Sequence, residues 1–199
     1  MTVDNYSFLY SFSHLDPSDI KKELREVTFN WWICGGWALE LFAQSKIREH
    51  HDMDIAVLRK DQFKLREQLP DWEFKIAINK ILHDWGEHAI DGSSHALWAR
   101  KKGQEKWTTE FLLNEASESN WIFRKNDTIT HPLNEISFVT NSIPVLKPII
   151  PLLFKSAHCD KKDNLDFLST VNKIHLADRQ LLRDWIKIFQ PNCIWLDKL

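Results

Sequence analysis

The chain is poor in cysteine and close to neutral, and each shortage argues against a class of protein. Three cysteines, Cys34, Cys159 and Cys193, make an odd number without C-x-x-C spacing. That argues against a disulfide framework or a cysteine-ligated zinc site and fits a reducing compartment. A formal net charge of -2 lacks the basic surplus of surfaces that grip a polyphosphate backbone, so nucleic acid is disfavoured as a partner. The opening MTVDNYSFLYSF has neither the basic start nor the sustained apolar run of a secretion signal, and the longest apolar stretch, Ile149 to Phe154, is interrupted by Pro151. With no membrane span to be read, the expected location is the cytoplasm. There is no Walker-type glycine loop, no Rossmann glycine fingerprint and no serine elbow, and the nine histidines show no zinc-ligand spacing.

What is present is an ordinary globular composition, 43% apolar and 27% charged over 199 residues. Such a chain can bury one core, or one core with a smaller helical lobe. The expected architecture is α+β: a mixed sheet flanked by helices over residues 1–147, then a small helical C-terminal lobe over 148–199, packed as one unit. Ten tryptophans are many for this length; they serve as core and strand-flanking residues, or a few of them line a pocket for a ringed ligand.

Asp16-Pro17-Ser18-Asp19 reads as a capped helix start, with a helix running to about Val27. Thr28 to Cys34 reads as a strand closed by Gly35-Gly36, and Ala38, Leu41 and Phe42 then fall at helical spacing. Asp52 to Leu58 alternates with period two, a second strand, and Lys60 to Leu69 is helical. Trp72 to Ala77, Ala96 to Arg100 and Trp107 to Leu113 are further strands. Beyond Pro148 come helices over Pro151 to His158, over Asp163 to Ile174, and one capped by Asp178 with Leu181, Leu182, Trp185 and Ile188 on one face.

Chemistry is carried by Asp52-Met53-Asp54. Residues two apart on a strand point the same way, with Cα atoms roughly 6 to 7 Å apart, while Met53, Ile55 and Val57 enter the core. Two carboxylates held that close call for a cation, and hard oxygen donors suit Mg²⁺ or Mn²⁺. Alone the pair is a weak sign, since solvated strand ends carry it too. Gly35-Gly36 at a strand-to-helix turn offers bare backbone N–H groups for phosphate oxygens, and a metal-bound triphosphate would use both features. Glu110, set among strand-forming residues in Trp107 to Leu113, is either the exposed face of an amphipathic strand or a third acid that binds metal or accepts a hydroxyl proton.

The run Ile33-Cys34-Gly35-Gly36-Trp37-Ala38-Leu39-Glu40-Leu41, with Arg48-Glu49-His50-His51-Asp52-Met53-Asp54-Ile55-Ala56-Val57, resembles the signature of aminoglycoside 2''-adenylyltransferase-like proteins of the DNA polymerase β-like nucleotidyltransferase superfamily. Ile143 to Pro148 and Leu152 to Ala157 are similar to a downstream segment of that group. The resemblance implies transfer of AMP from ATP, or of another nucleoside monophosphate from its triphosphate, to a hydroxyl of a small acceptor. Antibiotic resistance, with an aminoglycoside-like acceptor, is implied on the same footing. Asp52 and Asp54 would be metal ligands and Glu110 the third acid, at a place where many family members carry aspartate. Gly35 and Gly36 would meet the phosphates, with Arg48, His50 and Lys155 as further nucleotide-side residues. Arg100 and Arg124 are other cationic candidates, and Glu105, Glu115 and Glu118 could suit a cationic acceptor. Two rivals stay open: a toxin-like transferase acting on protein or RNA, and a non-catalytic nucleotide-binding protein.

Overall fold

The computed structural model describes residues 15–78 and 81–199. The opening MTVDNYSFLYSF, on which the lack of a secretion signal is read, lies outside the described residues. Contacts group the chain into two units, each assembled from two stretches: 15–31 with 50–114, and 32–49 with 115–199. Residues 148–199 therefore lie in the same unit as 115–147.

In chain order the first elements are helix α1 (Pro17–Glu23), strand β1 (Trp31–Ile33), helix α2 (Gly35–Ala43), strand β2 (Met53–Leu58) and helix α3 (Gln62–Gln68). Strands β3 (Trp72–Ile78), β4 (Ile81–Asp84), β5 (Ala96–Lys101), β6 (Thr109–Ala116), β7 (Asn120–Ile122), β8 (Thr130–Pro132), β9 (Ser137–Thr140) and β10 (Ile143–Leu146) follow. Helices α4 (Ile149–Lys155), α5 (Lys161–Thr170) and α6 (Leu176–Phe189) close the chain.

In the first unit the Asp16 carboxylate caps α1 by accepting from the N–H groups of Ser18 and Asp19, with Pro17 in the first turn. The helix ends at Glu23, short of Val27. The following segment instead buries Phe29 and gives its Thr28 N–H to the Gln68 side chain. The sheet runs β4-β3-β5-β6-β2; β2 and β6 are parallel and the other neighbours antiparallel, so the expected mixed sheet is present. On β2, Met53, Ile55 and Val57 are fully buried and Asp54 is half-buried. Alternation then stops, because Ala56 and Leu58 are buried too, as expected where a parallel strand is covered on both faces. The core includes Phe111, whose ring meets Trp72 and Phe74 at 6.1 and 5.8 Å.

In the second unit β1 lies parallel to β10, with Ile33 opposite Val145. β9 and β10 form a hairpin whose turn residues Asn141 and Ser142 both have positive φ, 52° and 60°, the backbone a two-residue hairpin turn demands. β7 pairs with the end of β6 and with β8. None of β7 to β10 is anticipated above; each has only three or four residues, and Pro132 and Pro144 sit within them, a length and composition that give no period-two signal. Aromatic rings fill this unit: Phe123 meets Phe154 at 4.8 Å and Phe189 at 4.9 Å, and Trp121 meets Phe154 and Trp185 at 6.3 Å each. Helix α6 starts earlier than expected, with the His175 side chain accepting from Ala177 N–H while Asp178 stands in the first turn. It buries Leu182, Trp185 and Ile186, and Ile188 faces out.

Seven tryptophans (Trp32, Trp72, Trp85, Trp107, Trp121, Trp185 and Trp195) are buried, so core filling is their main use. The three cysteines are unbridged. The Sγ atoms of Cys159 and Cys193 stand 3.3 Å apart, and burial, then the adjoining Cys193, pushes the Cys159 thiol up to about 12. No helix among the described residues is long and apolar enough to cross a membrane.

Candidate active site

Parallel pairing of β2 with β6 decides where the acids go. Asp54 lies directly opposite Glu110 in the register, and Met53 opposite Thr109. Side chains opposed across a ladder share a face; Asp52 lies in the bend just ahead of β2, which begins at Met53 and not at Asp52 as expected. One carboxylate oxygen from each of Asp52, Asp54 and Glu110 lies within 4.8 Å of the others, and all three residues are half-buried. The three acids singled out from the sequence are thus brought together in one unit.

Strand burial explains why the cluster is held. Met53, Ile55, Phe111 and Leu113 are 0–1% exposed, so a one-residue slip of either strand would move those apolar side chains onto the face that carries the acids. Three carboxylates at this spacing repel one another unless a cation lies among them. Their donor set, oxygen only and half-buried, fits a hard divalent ion such as Mg²⁺ or Mn²⁺.

A fourth residue at the cluster is one sequence reasoning missed. Trp98 on β5 opposes Glu110 on the other side of β6, and its indole Nε1–H donates to Glu110 Oε1 at 3.1 Å. The available signal was the antiparallel pairing of 96–101 with 109–116, which sequence does not fix. Arg100, two residues on, donates to Glu73 and to the Glu105 carbonyl and lies over the Trp107 ring. His50, in the same unit as the acids, is buried.

The remaining nucleotide-side candidates belong to the second unit. Gly35 and Gly36 are the first residues of α2, with Cys34 as the cap residue. Gly35 has φ +60°, a backbone most side chains resist. Arg48 and Lys155 converge on Asp166 of α5, which is wholly buried. Arg48 donates from Nε at 2.9 Å and from Nη2 at 3.2 Å, and the Lys155 ammonium lies 3.0 Å from Asp166 and 2.7 Å from Asp163. Burial alone would depress Lys155, but its bonds to Asp163 and Asp166 outweigh that and hold it above the usual lysine value. Arg124 lies over the Phe154 ring. Trp37, Glu40, Lys46, Thr140 and Asn141 are among the residues lining a cavity of about 560 Å³.

Residues 18–96 match the family model described as aminoglycoside-2''-adenylyltransferase. No curated protein sequence matches the chain. Among solved structures it is similar to the lincosamide antibiotic adenylyltransferase LnuA with lincomycin bound, at 16% identity and TM-score 0.54, over 80% of this chain and 97% of that one. It is also similar to ANT(2")-Ia in complex with adenylyl-2"-tobramycin, at 10% identity and TM-score 0.55, over 85% and 94%. The solution structure of ANT(2'')-Ia gives 9% identity and TM-score 0.54 over 94% of each chain. At these identities the structural likeness speaks for a shared nucleotidyltransferase fold.

Proposed function

We propose, on the match of residues 18–96 to the aminoglycoside-2''-adenylyltransferase family model and on the acids described above, that this chain is a metal-dependent nucleotidyltransferase. It moves a nucleoside monophosphate, AMP from ATP, to a hydroxyl of a small antibiotic-like acceptor and releases pyrophosphate. The observation that carries this reading is the meeting within 4.8 Å of Asp54 and Glu110, opposed on adjacent parallel strands, and Asp52, just ahead of the first of them.

Asp52 and Asp54 would hold divalent ions, with Glu110 as the third ligand. Ions bound there supply Lewis acidity to the phosphate oxygens and offset the charge that builds as the phosphoryl group transfers. The protein's own part is positional. The β2–β6 ladder fixes Asp54 and Glu110, with Asp52 at its edge, before any substrate arrives, so little reorganisation is left for the reaction itself. Glu110 accepts the proton of the attacking hydroxyl, the role open to a carboxylate within reach of the acceptor. Gly35 and Gly36 present N–H groups to phosphate. Arg48 and Lys155 are assigned to the nucleotide side; both are bound to buried Asp166, and Lys155 also to Asp163, so in that group two cations balance two acids.

The acceptor class is supported by the likeness to structures that hold lincomycin and adenylyl-2"-tobramycin. A sugar-bearing, hydroxyl-rich antibiotic is therefore the acceptor to test first. The test is pyrophosphate release with each nucleoside triphosphate, Mg²⁺ or Mn²⁺, and a panel of aminoglycosides and lincosamides. Turnover with at least one acceptor is expected, and Asp52→Asn should reduce it to background. Wild-type turnover in Asp52→Asn would refute the metal role, and silence across the whole panel would refute the small-acceptor reading.

A further inference from the structure

Trp98, Glu110 and Asp54 form one row across three adjoining strands: Trp98 opposes Glu110 on the antiparallel side of β6, and Asp54 opposes it on the parallel side. Within that row the indole Nε1–H donates to Glu110 Oε1 at 3.1 Å. Glutamate has three side-chain torsions, and beside two other carboxylates like-charge repulsion favours rotamers that swing it away. An indole N–H donates and cannot accept, so the bond holds the carboxylate in one sense only.

Trp98 is itself braced. Its ring meets Trp107 at 6.3 Å with the planes 62° apart, and the Arg100 guanidinium lies 4.4 Å from the Trp107 ring centre. Arg100 is tied in turn to Glu73 on β3, 2.9 Å from Nε, and to the Glu105 carbonyl at 2.7 Å. A run of fixed contacts thus leads from β3 through two indoles to the third acid.

We propose that Trp98 is a positioning residue for Glu110: its indole N–H sets the carboxylate among the acids, and through it both divalent-ion affinity and the rate of transfer. This rests on the transferase reading above. Trp98 acts through Glu110 without touching substrate, so its loss lowers kcat and metal affinity and leaves acceptor KM nearly unchanged.

Two substitutions separate this from simple space-filling beside Trp107. Trp98→Phe keeps a large apolar ring and removes the donor. Trp98→His removes bulk but places an Nε2–H at the ring position of the indole N–H. Installing 3-benzothienylalanine at position 98 removes the donor with the indole shape intact, and it decides the matter if the Phe variant does not fold.

Mn²⁺ binding is measured from the electron paramagnetic resonance signal of the free ion, without acceptor, and steady-state kcat and KM follow. The donor-less variants should bind Mn²⁺ about tenfold more weakly and lose about tenfold or more in kcat, with KM within about threefold and the His variant nearer to wild type. Donor-less variants that match wild type, or a His variant worse than the Phe variant, overturn the positioning role and leave the transferase standing. Wild-type protein that binds no Mn²⁺, or Asp52→Asn that binds it equally well, overturns the metal site and this inference with it.

Discussion

Asp166 holds two cations, Arg48 and Lys155, in a place where water does not reach it. Removing one partner of a buried ionic group leaves the others uncompensated, and this costs far more than the intact group contributes. Asp166→Ala should therefore destabilise the protein by about 3 to 5 kcal/mol, read as a lower urea midpoint by tryptophan fluorescence. A midpoint within error of wild type would mean that Arg48 and Lys155 find other partners. At this scale the sequence was legible where chemistry is local. Asp52 and Asp54 are two residues apart at the start of a strand pattern, and an acid among the β-formers of 107–113 stands out. Trp98 and Asp166 were not legible, because their importance lies in the partner. Trp98 reaches Glu110 through a strand register, and Asp166 meets an arginine 118 positions away in the chain.

Among the elements, the contact between β8 and α6 carries a pH dependence. His131 of β8 sets its ring edge-on to Trp185 of α6 at 5.4 Å. Burial first, and then the Lys147 ammonium, holds the imidazole below its usual range, against the opposing pull of Glu135 and Asp178. The unfolded imidazole titrates near 6.5, so it takes up a proton before the folded one does; the unfolded state binds more protons, and stability rises with pH. The His131 contribution is thus complete above about pH 6.5 and is lost as pH falls below it. His131→Phe should retain more of its pH 7.5 melting temperature at pH 5.5 than wild type does, and parallel losses would show that the imidazole is not responsible. The longer elements here were the readable ones: β2 emerged from spacing, β3, β5 and β6 from strand-forming residues between glycines, and the three C-terminal helices from spacing with proline and cap signals. β7 to β10 did not, since their pairing comes from neighbours distant in sequence and not from any alternation of their own.

For the whole molecule, the decisive fact is that 32–49 and 115–199 make up one unit while the chain between them belongs to the other. α2 packs on α4, α5 and β10, all of them beyond residue 142, and its Ala38 and Leu39 are fully buried. A fragment of residues 1–114 contains everything assigned to the first unit, yet it exposes that apolar helix to water. It should be insoluble or should bind a dye such as ANS, which reports exposed apolar surface. The same fragment with 32–49 replaced by a short glycine-serine linker should bind less dye. Equal dye binding by the two would show that the exposed surface lies elsewhere.

Lacing of this kind also constrains the gene. Neither half can be obtained by moving a stop codon, because each is assembled from two separate stretches of the chain. Only an internal excision reaches the strip that carries Gly35, Gly36 and Arg48, so truncation libraries will sample this protein poorly and internal-replacement libraries will sample it well.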